Sequence, residues 1–268
     1  MSTLQHFLDL GVTVGLLGLQ HARTFEGDPQ GGDFERGLFV IRSFTNHDSV
    51  ALLNPDNSGR VVIARFNQLH YLRRHDYYFP EPASCVLIET DSLDAGVRTL
   101  CMPTCDHPFM SVQFERENKL FALGAARLWP GNLCGAGSIV EQLFEYAEKN
   151  HVDHVRFILS AGAGPCCIKP DPAYITRVID AFGKDWPAQH FLRARPGSIS
   201  LGMDLLLVIT AEIERCKKRS KLLVNINPGD ISCSACANHG KGHLYNSNGD
   251  GTNLAFFNST AEIPPQMC

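Results

Sequence analysis

The sequence predicts an α/β fold: a single domain, residues 1–268, with a central mixed β-sheet flanked by helices. Three observations lead there. Through the centre of the chain, apolar runs of strand length alternate with runs whose apolar residues recur at helical spacing. At 268 residues, with 44% hydrophobic and 19% charged side chains, the chain is long and apolar enough to bury a full core. No internal repeat and no linker-like stretch divides it.

Residues 1–45 read as short strands and turns, with a Gly/Asp-rich loop over 27–33. Strand-like runs at 50–53 and 61–66 are divided by Asn54-Pro-Asp-Asn-Ser-Gly59, a cluster of turn formers. Residues 83–90 are another β candidate, and strands over 110–114 and 120–126 flank a turn at Arg116-Glu-Asn118. Apolar positions 139, 140, 143, 144 and 147 give a helix over 138–149. A strand follows at 155–159, an amphipathic helix at 172–182, a longer helix at 201–216 and a strand at 222–226. From 232 the chain is loop-rich, with a last apolar patch at 254–257.

The formal net charge of −4 argues against a general binder of nucleic acid or anionic membrane. The basic run at 215–221 falls at a helix end, where cations complement the helix dipole. The N-terminus lacks a basic n-region, and the apolar stretch 12–19 is too short and glycine-broken to span a bilayer. Ten cysteines without a secretion signal point to reduced thiols, so the expected address is the cytoplasm. A small-molecule substrate is the expected partner.

The densest local signal is Phe157-Ile-Leu-Ser-Ala-Gly-Ala-Gly-Pro-Cys-Cys-Ile-Lys-Pro170. An apolar strand end runs through Gly162 and Gly164, which allow close backbone approach, and Pro165 stiffens the corner where Cys166 and Cys167 sit side by side. Read alone, this is either a strand-to-helix connection with structural thiols or part of a site. His70 follows a strand, and Cys105 lies on a turn in Met102-Pro-Thr-Cys-Asp-His-Pro108. Imidazole and thiolate are both zinc ligands and also form nucleophile–base pairs, so both chemistries stay open. Cys233, Cys236, His239 and His243 have Cys-x2-Cys and His-x3-His spacing, but the two halves are very close for one metal. Gly249-Asp-Gly251 reads as a hairpin turn and Trp129-Pro-Gly131 as a turn with an aromatic plug. No P-loop, dinucleotide fingerprint or serine-hydrolase elbow is present.

The order of these pieces over residues 60–257 resembles the laccase-domain family, described as zinc-dependent enzymes of purine nucleoside phosphorylase and deaminase type. The elements that carry the resemblance are Gln68-Leu-His70, Thr90-Asp91, Thr104-Cys105, the helix at 138–149, Gly164-Pro-Cys-Cys167, Cys233-Ser-Ala-Cys236 and the closing patch at 254–257. The resemblance implies a laccase-domain-like α/β fold, with the site in a cleft reached by the loops after 66, 102 and 124. It also implies zinc as cofactor and phosphate as possible co-substrate. The catalytic set it implies is Cys105, His70 and Arg127, with Gly164, Cys166, Cys167 and His107 lining the substrate site.

The chain departs from the family on that face. The implied zinc ligands are His70, Cys105 and a histidine at a following strand end. There the chain reads Leu123-Gly-Ala-Ala-Arg-Leu-Trp-Pro-Gly131, with Gly124 nearest the expected histidine. Two protein ligands plus water are few for a tight catalytic zinc, which leaves His75 or His107 as substitutes. Three readings follow: a nucleoside enzyme with an altered site; a metal-independent enzyme with Cys105 as nucleophile and His70 as base; and a non-catalytic descendant that binds a ligand or partner.

Overall fold

The structure is a computed structural model that describes residues 4–9, 12–20, 32–45, 49–72, 76–89, 97–104, 107–160, 164–194, 201–227 and 251–259. The α/β class holds, with mixed sheets flanked by helices. The strands divide between two large sheets rather than one.

The first sheet contains β1 (Leu4–Asp9), β2 (Val12–Gln20), β3 (Ser49–Pro55), β5 (His70–Tyr71), β6 (Tyr77–Ala83), β8 (Val97–Thr104) and β15 (Gly251–Ser259). Its order is β1-β2-β15-β8-β3-β6-β5. The second contains β4 (Val61–Ala64), β7 (Cys85–Glu89), β9 (Phe109–Arg116), β10 (Lys119–Arg127), β11 (His154–Leu159) and β14 (Leu223–Asn227). Its order is β14-β11-β9-β10-β7-β4. A small ribbon pairs β12 (Leu192–Ala194) with β13 (Leu201–Met203). The helices are α1 (Gly32–Phe44), α2 (Ile139–Lys149), α3 (Pro172–Phe182) and α4 (Leu205–Lys217).

Three apolar layers hold these elements together. Alternate residues of a strand point to opposite faces, and here the central strands of both sheets are covered on both faces. On β3, Val50 and Leu52 pack in the layer with Phe34, Leu38 and Ile41 of α1, while Ala51 and Leu53 pack between the sheets. On β7, Val86 and Ile88 join that inter-sheet layer, whereas Cys85 and Leu87 pack with α2 and α4. Burial on both sides explains why the strands read as unbroken apolar runs instead of clean alternation. Each fully buried Leu, Ile or Phe contributes about 1.5–3 kcal/mol.

Local chemistry sets most boundaries. Ser138 caps α2 by accepting the Glu141 N–H at 3.1 Å. Asp171 caps α3 by accepting from Ala173 N at 2.8 Å, Pro172 opens the helix, and Gly183 ends it at φ 101°. The β9–β10 turn uses Glu117 and Asn118 at φ 53° and 59°.

Three expectations need correction. The stretch read as a Gly/Asp-rich loop contains the start of α1, because Phe34, Leu38 and Ile41 recur at helical spacing and bury against the first sheet. The helix expected over 201–216 starts at Leu205: Asp204 accepts the Leu207 N–H at 3.1 Å, and 201–203 pair instead with 192–194. Met102-Pro-Thr104 belongs to β8, where Pro103 lies opposite Leu254, so the turn begins later than expected.

Buried ion pairs tie the helices down. Arg42 of α1 meets Asp76 beside β6 at 3.0 Å. Glu212 of α4, fully buried, accepts Arg215 Nε and Nη2 at 2.6 Å each, Ser138 Oγ at 2.8 Å and Gly135 N at 3.1 Å. That carboxylate therefore joins α4 to the N-terminus of α2. Glu212→Ala removes it from all four donors and should cost about 3–5 kcal/mol in urea unfolding. Lys217→Ala breaks only the exposed pair with Glu214 at 3.5 Å and should cost under about 1 kcal/mol.

Candidate functional site

Strand register gathers several of the expected residues at one end of the second sheet. Arg127, the last residue of β10, lies opposite Phe109, and Leu159, the last of β11, lies opposite Met110. The start of β9, the end of β10 and the end of β11 are therefore neighbours. β8 of the other sheet closes on the same end, where Thr104 Oγ1 donates to the His107 carbonyl at 2.7 Å.

His107 is largely withdrawn from water, with its ring 4.5 Å from that of Trp129. Trp129 meets Tyr174 of α3 edge-on at 6.2 Å. Burial lowers the His107 pKa from 6.5 to about 4, and the positive charge of Arg127 adds to that shift. Its imidazole is thus neutral at physiological pH. Arg127 reaches across to the turn before β4, donating from Nη2 to Asn57 Oδ1 at 2.8 Å. Asn132 holds the Trp129 turn by accepting the Trp129 N–H at 3.0 Å; its own Nδ2 is buried with no hydrogen-bond partner among the described residues.

The Gly164-Pro-Cys-Cys corner is one tight turn, in which the Gly164 carbonyl accepts from Cys167 N at 2.9 Å and Ile168 N at 3.1 Å. It lies flat on β13: a Cβ on Gly202 would fall 1.4 Å from the Pro165 carbonyl oxygen, so only glycine fits there. Met203 N donates back to Ile168 O at 3.0 Å. Cys166 and Cys167 are half-buried.

His70 is elsewhere. It is exposed on β5, opposite Tyr78, at the edge of the first sheet. β6 and β3 stand between β5 and β8, which leads to Cys105. Three inter-strand steps are about 14 Å. Cys105 and His75 lie outside the described residues, as do Thr90-Asp91 and the Cys233, Cys236, His239 and His243 cluster. Among the described residues no group of three His, Cys, Asp or Glu side chains is arranged to hold a metal.

Gly124, nearest the expected third ligand, faces away from this end. A Cβ there would sit 2.3 Å from Leu87 Cδ2 and 2.6 Å from Val112 Cγ1, inside the layer that packs against the helices. Cys85, Cys101, Cys134 and Cys216 are buried free thiols. Burial is the main cause raising the pKa of each, with Cys134 pushed to about 12 and Cys216 to about 11. Sequence reasoning did not name Tyr174 or Asn57 as neighbours of this site. Only the Trp129-Pro-Gly turn hinted at an aromatic there.

No family model matches this chain, and no curated protein matches it. Solved structures do match in fold. Bacillus licheniformis hypothetical protein YfiH superposes with a TM-score of 0.60 at 12% identity, over 92% of each chain. YlmD from Geobacillus stearothermophilus gives 0.60 at 13% identity, over 93% of this chain and 92% of that one. Neisseria meningitidis NMB0706, of family DUF152, gives 0.58 at 13% identity, over 96% and 98%. The chain has the fold of these proteins along nearly its whole length.

The His107 environment makes a pH prediction. Its pKa falls from 6.5 to about 4 on folding, so between these values the unfolded chain binds the extra proton and stability rises with pH. The contribution is complete above 6.5 and is lost as pH falls towards 4. Hydrogen bonding to His154 lowers the Glu115 pKa, which acts in the same direction and cancels when variants are compared. Between pH 7 and 4, wild type should lose about 3 kcal/mol more stability than His107→Phe in urea titrations.

Proposed function

We propose that this chain is a small-molecule enzyme of the laccase-domain kind, acting on a purine nucleoside at the end of the second sheet. The observation that carries the proposal is the row of rings His107–Trp129–Tyr174 with Arg127 beside it. A planar base stacks on such ring faces, and a guanidinium matches phosphate bidentately. The near-complete fold likeness to YfiH and YlmD supports the reading at the level of architecture.

In phosphorolysis a phosphate oxygen bonds to the anomeric carbon as the carbon–nitrogen bond breaks. The base leaves with that electron pair and takes up a proton. Arg127 holds the phosphate and offsets its charge, Trp129 stacks the base, and His107 hydrogen-bonds to it as a neutral imidazole. Gly164, Cys166 and Cys167 form the rigid corner behind the substrate. The zinc implied by the resemblance supplies no step here, because position 124 faces the core and His70 lies three strands from β8.

Chromatography of purified protein with adenosine, inosine and methylthioadenosine, with and without phosphate, tests this. Base release should require phosphate and fall about 100-fold in Arg127→Ala. No turnover of any nucleoside overturns the nucleoside reading.

The core-facing Gly124 also favours a second reading, a metal-independent enzyme in which the Cys105 thiol is the nucleophile on another substrate. Alkylation of native protein followed by mass spectrometry distinguishes it. Cys105 should react first while Cys85, Cys101, Cys134 and Cys216, buried with raised pKa values, remain unmodified. Equal labelling of all thiols would remove the basis for this reading.

A further inference from the structure

We infer that this chain builds no zinc centre at the end of β8, although its resemblance implies one. The first ground is what β10 offers: the strand ends in Arg127, which is not a zinc ligand, and Gly124, three residues inside it, points away from that end. Along β10, Leu123 and Ala125 pack between the sheets, while Ala122 and Ala126 pack towards the helices. Gly124 shares the helix-facing side, and its missing Cβ points at Leu87 and Val112. A side chain there is directed away from the space between the sheets. Turning it round requires a one-residue slip, which would send every core residue of β10 to the wrong face. The slip is blocked on both flanks: β10 is held opposite β9 with Gly124 beside Val112, and opposite β7 with Gly124 beside Leu87.

The second ground is independent of position 124. Zinc draws its donors to about 2.0–2.3 Å, so ligands must lie within one small sphere. His70 sits on an edge strand with β6 and β3 between it and β8. Its backbone is held there by pairing with Tyr78, and its side chain is solvent-exposed. Without position 124 and His70, His107 is the candidate ligand left among the described residues, and its ring lies 4.5 Å from that of Trp129. One imidazole beside one thiolate falls short of the three protein ligands of a catalytic zinc.

Zinc content is measured without turnover, so this inference and the nucleoside reading fail separately. The full chain would be loaded with excess zinc, passed through gel filtration and analysed by plasma mass spectrometry, as wild type, Cys105→Ala and Gly124→His. A zinc content that Cys105→Ala leaves unchanged supports the inference, whatever its level, because any metal present is then held elsewhere. Gly124→His should gain no zinc and should melt below wild type. Stoichiometric zinc in wild type that Cys105→Ala releases overturns the inference. So does a Gly124→His protein that melts like wild type and takes up one zinc per chain.

Discussion

The central strands of two sheets share one apolar layer and are covered on their other face, and the rest of the molecule depends on that arrangement. It leaves no solvent-facing side to the central strands. A residue's parity along its strand therefore decides between two kinds of burial, not between core and water. Val50 and Leu52 go to α1, Ala51 and Leu53 to the facing sheet, and Leu254 and Phe256 part from Ala255 and Phe257 in the same way. Polar chemistry is displaced to strand ends and helix junctions.

The two ends of the second sheet illustrate the displacement. At one end His154 Nδ1 lies 2.9 Å from Glu115, Arg156 Nη1 donates to Gln113 at 3.3 Å, and Gln113 Nε2 donates across to Ser259 of the other sheet at 2.6 Å. This network is satisfied within itself and ties the sheets together, which gives it a structural role. At the other end His107 and Arg127 are brought together by the register of β9 and β10. There Asn132 keeps a buried amide donor unmatched among the described residues, and burial holds the imidazole below its ordinary pKa. Incomplete pairing at one end, against a closed network at the other, separates the candidate site from the scaffold.

Cysteine content misleads unless burial is considered. Cys85, Cys101 and Cys134 are fixtures of apolar layers whose thiolate forms are suppressed by lack of water. The Gly-Pro-Cys-Cys corner differs because backbone packs on it: Gly202 allows β13 to approach Pro165 closely, and the two thiols that follow are half-buried. Its stiffness comes from that contact together with Pro165.

Signals that act within a few residues were legible without the structure. The amphipathic helix read over 172–182 is α3, apolar spacing placed α2, and the turn at Glu117-Asn118 and the strand at 155–159 lie where the residues indicate. The order of motifs also pointed to the fold that YfiH and YlmD share. Tertiary structure alone decided how strands divide between two sheets, that 201–203 pair with 192–194 before α4 begins, and that Gly124 belongs to the helix-facing layer. The reason is physical. Caps and turns are satisfied by their own neighbours, whereas strand pairing and facing are settled by partners far along the chain. An apolar run buried on both sides has the same sequence pattern whichever way its residues point.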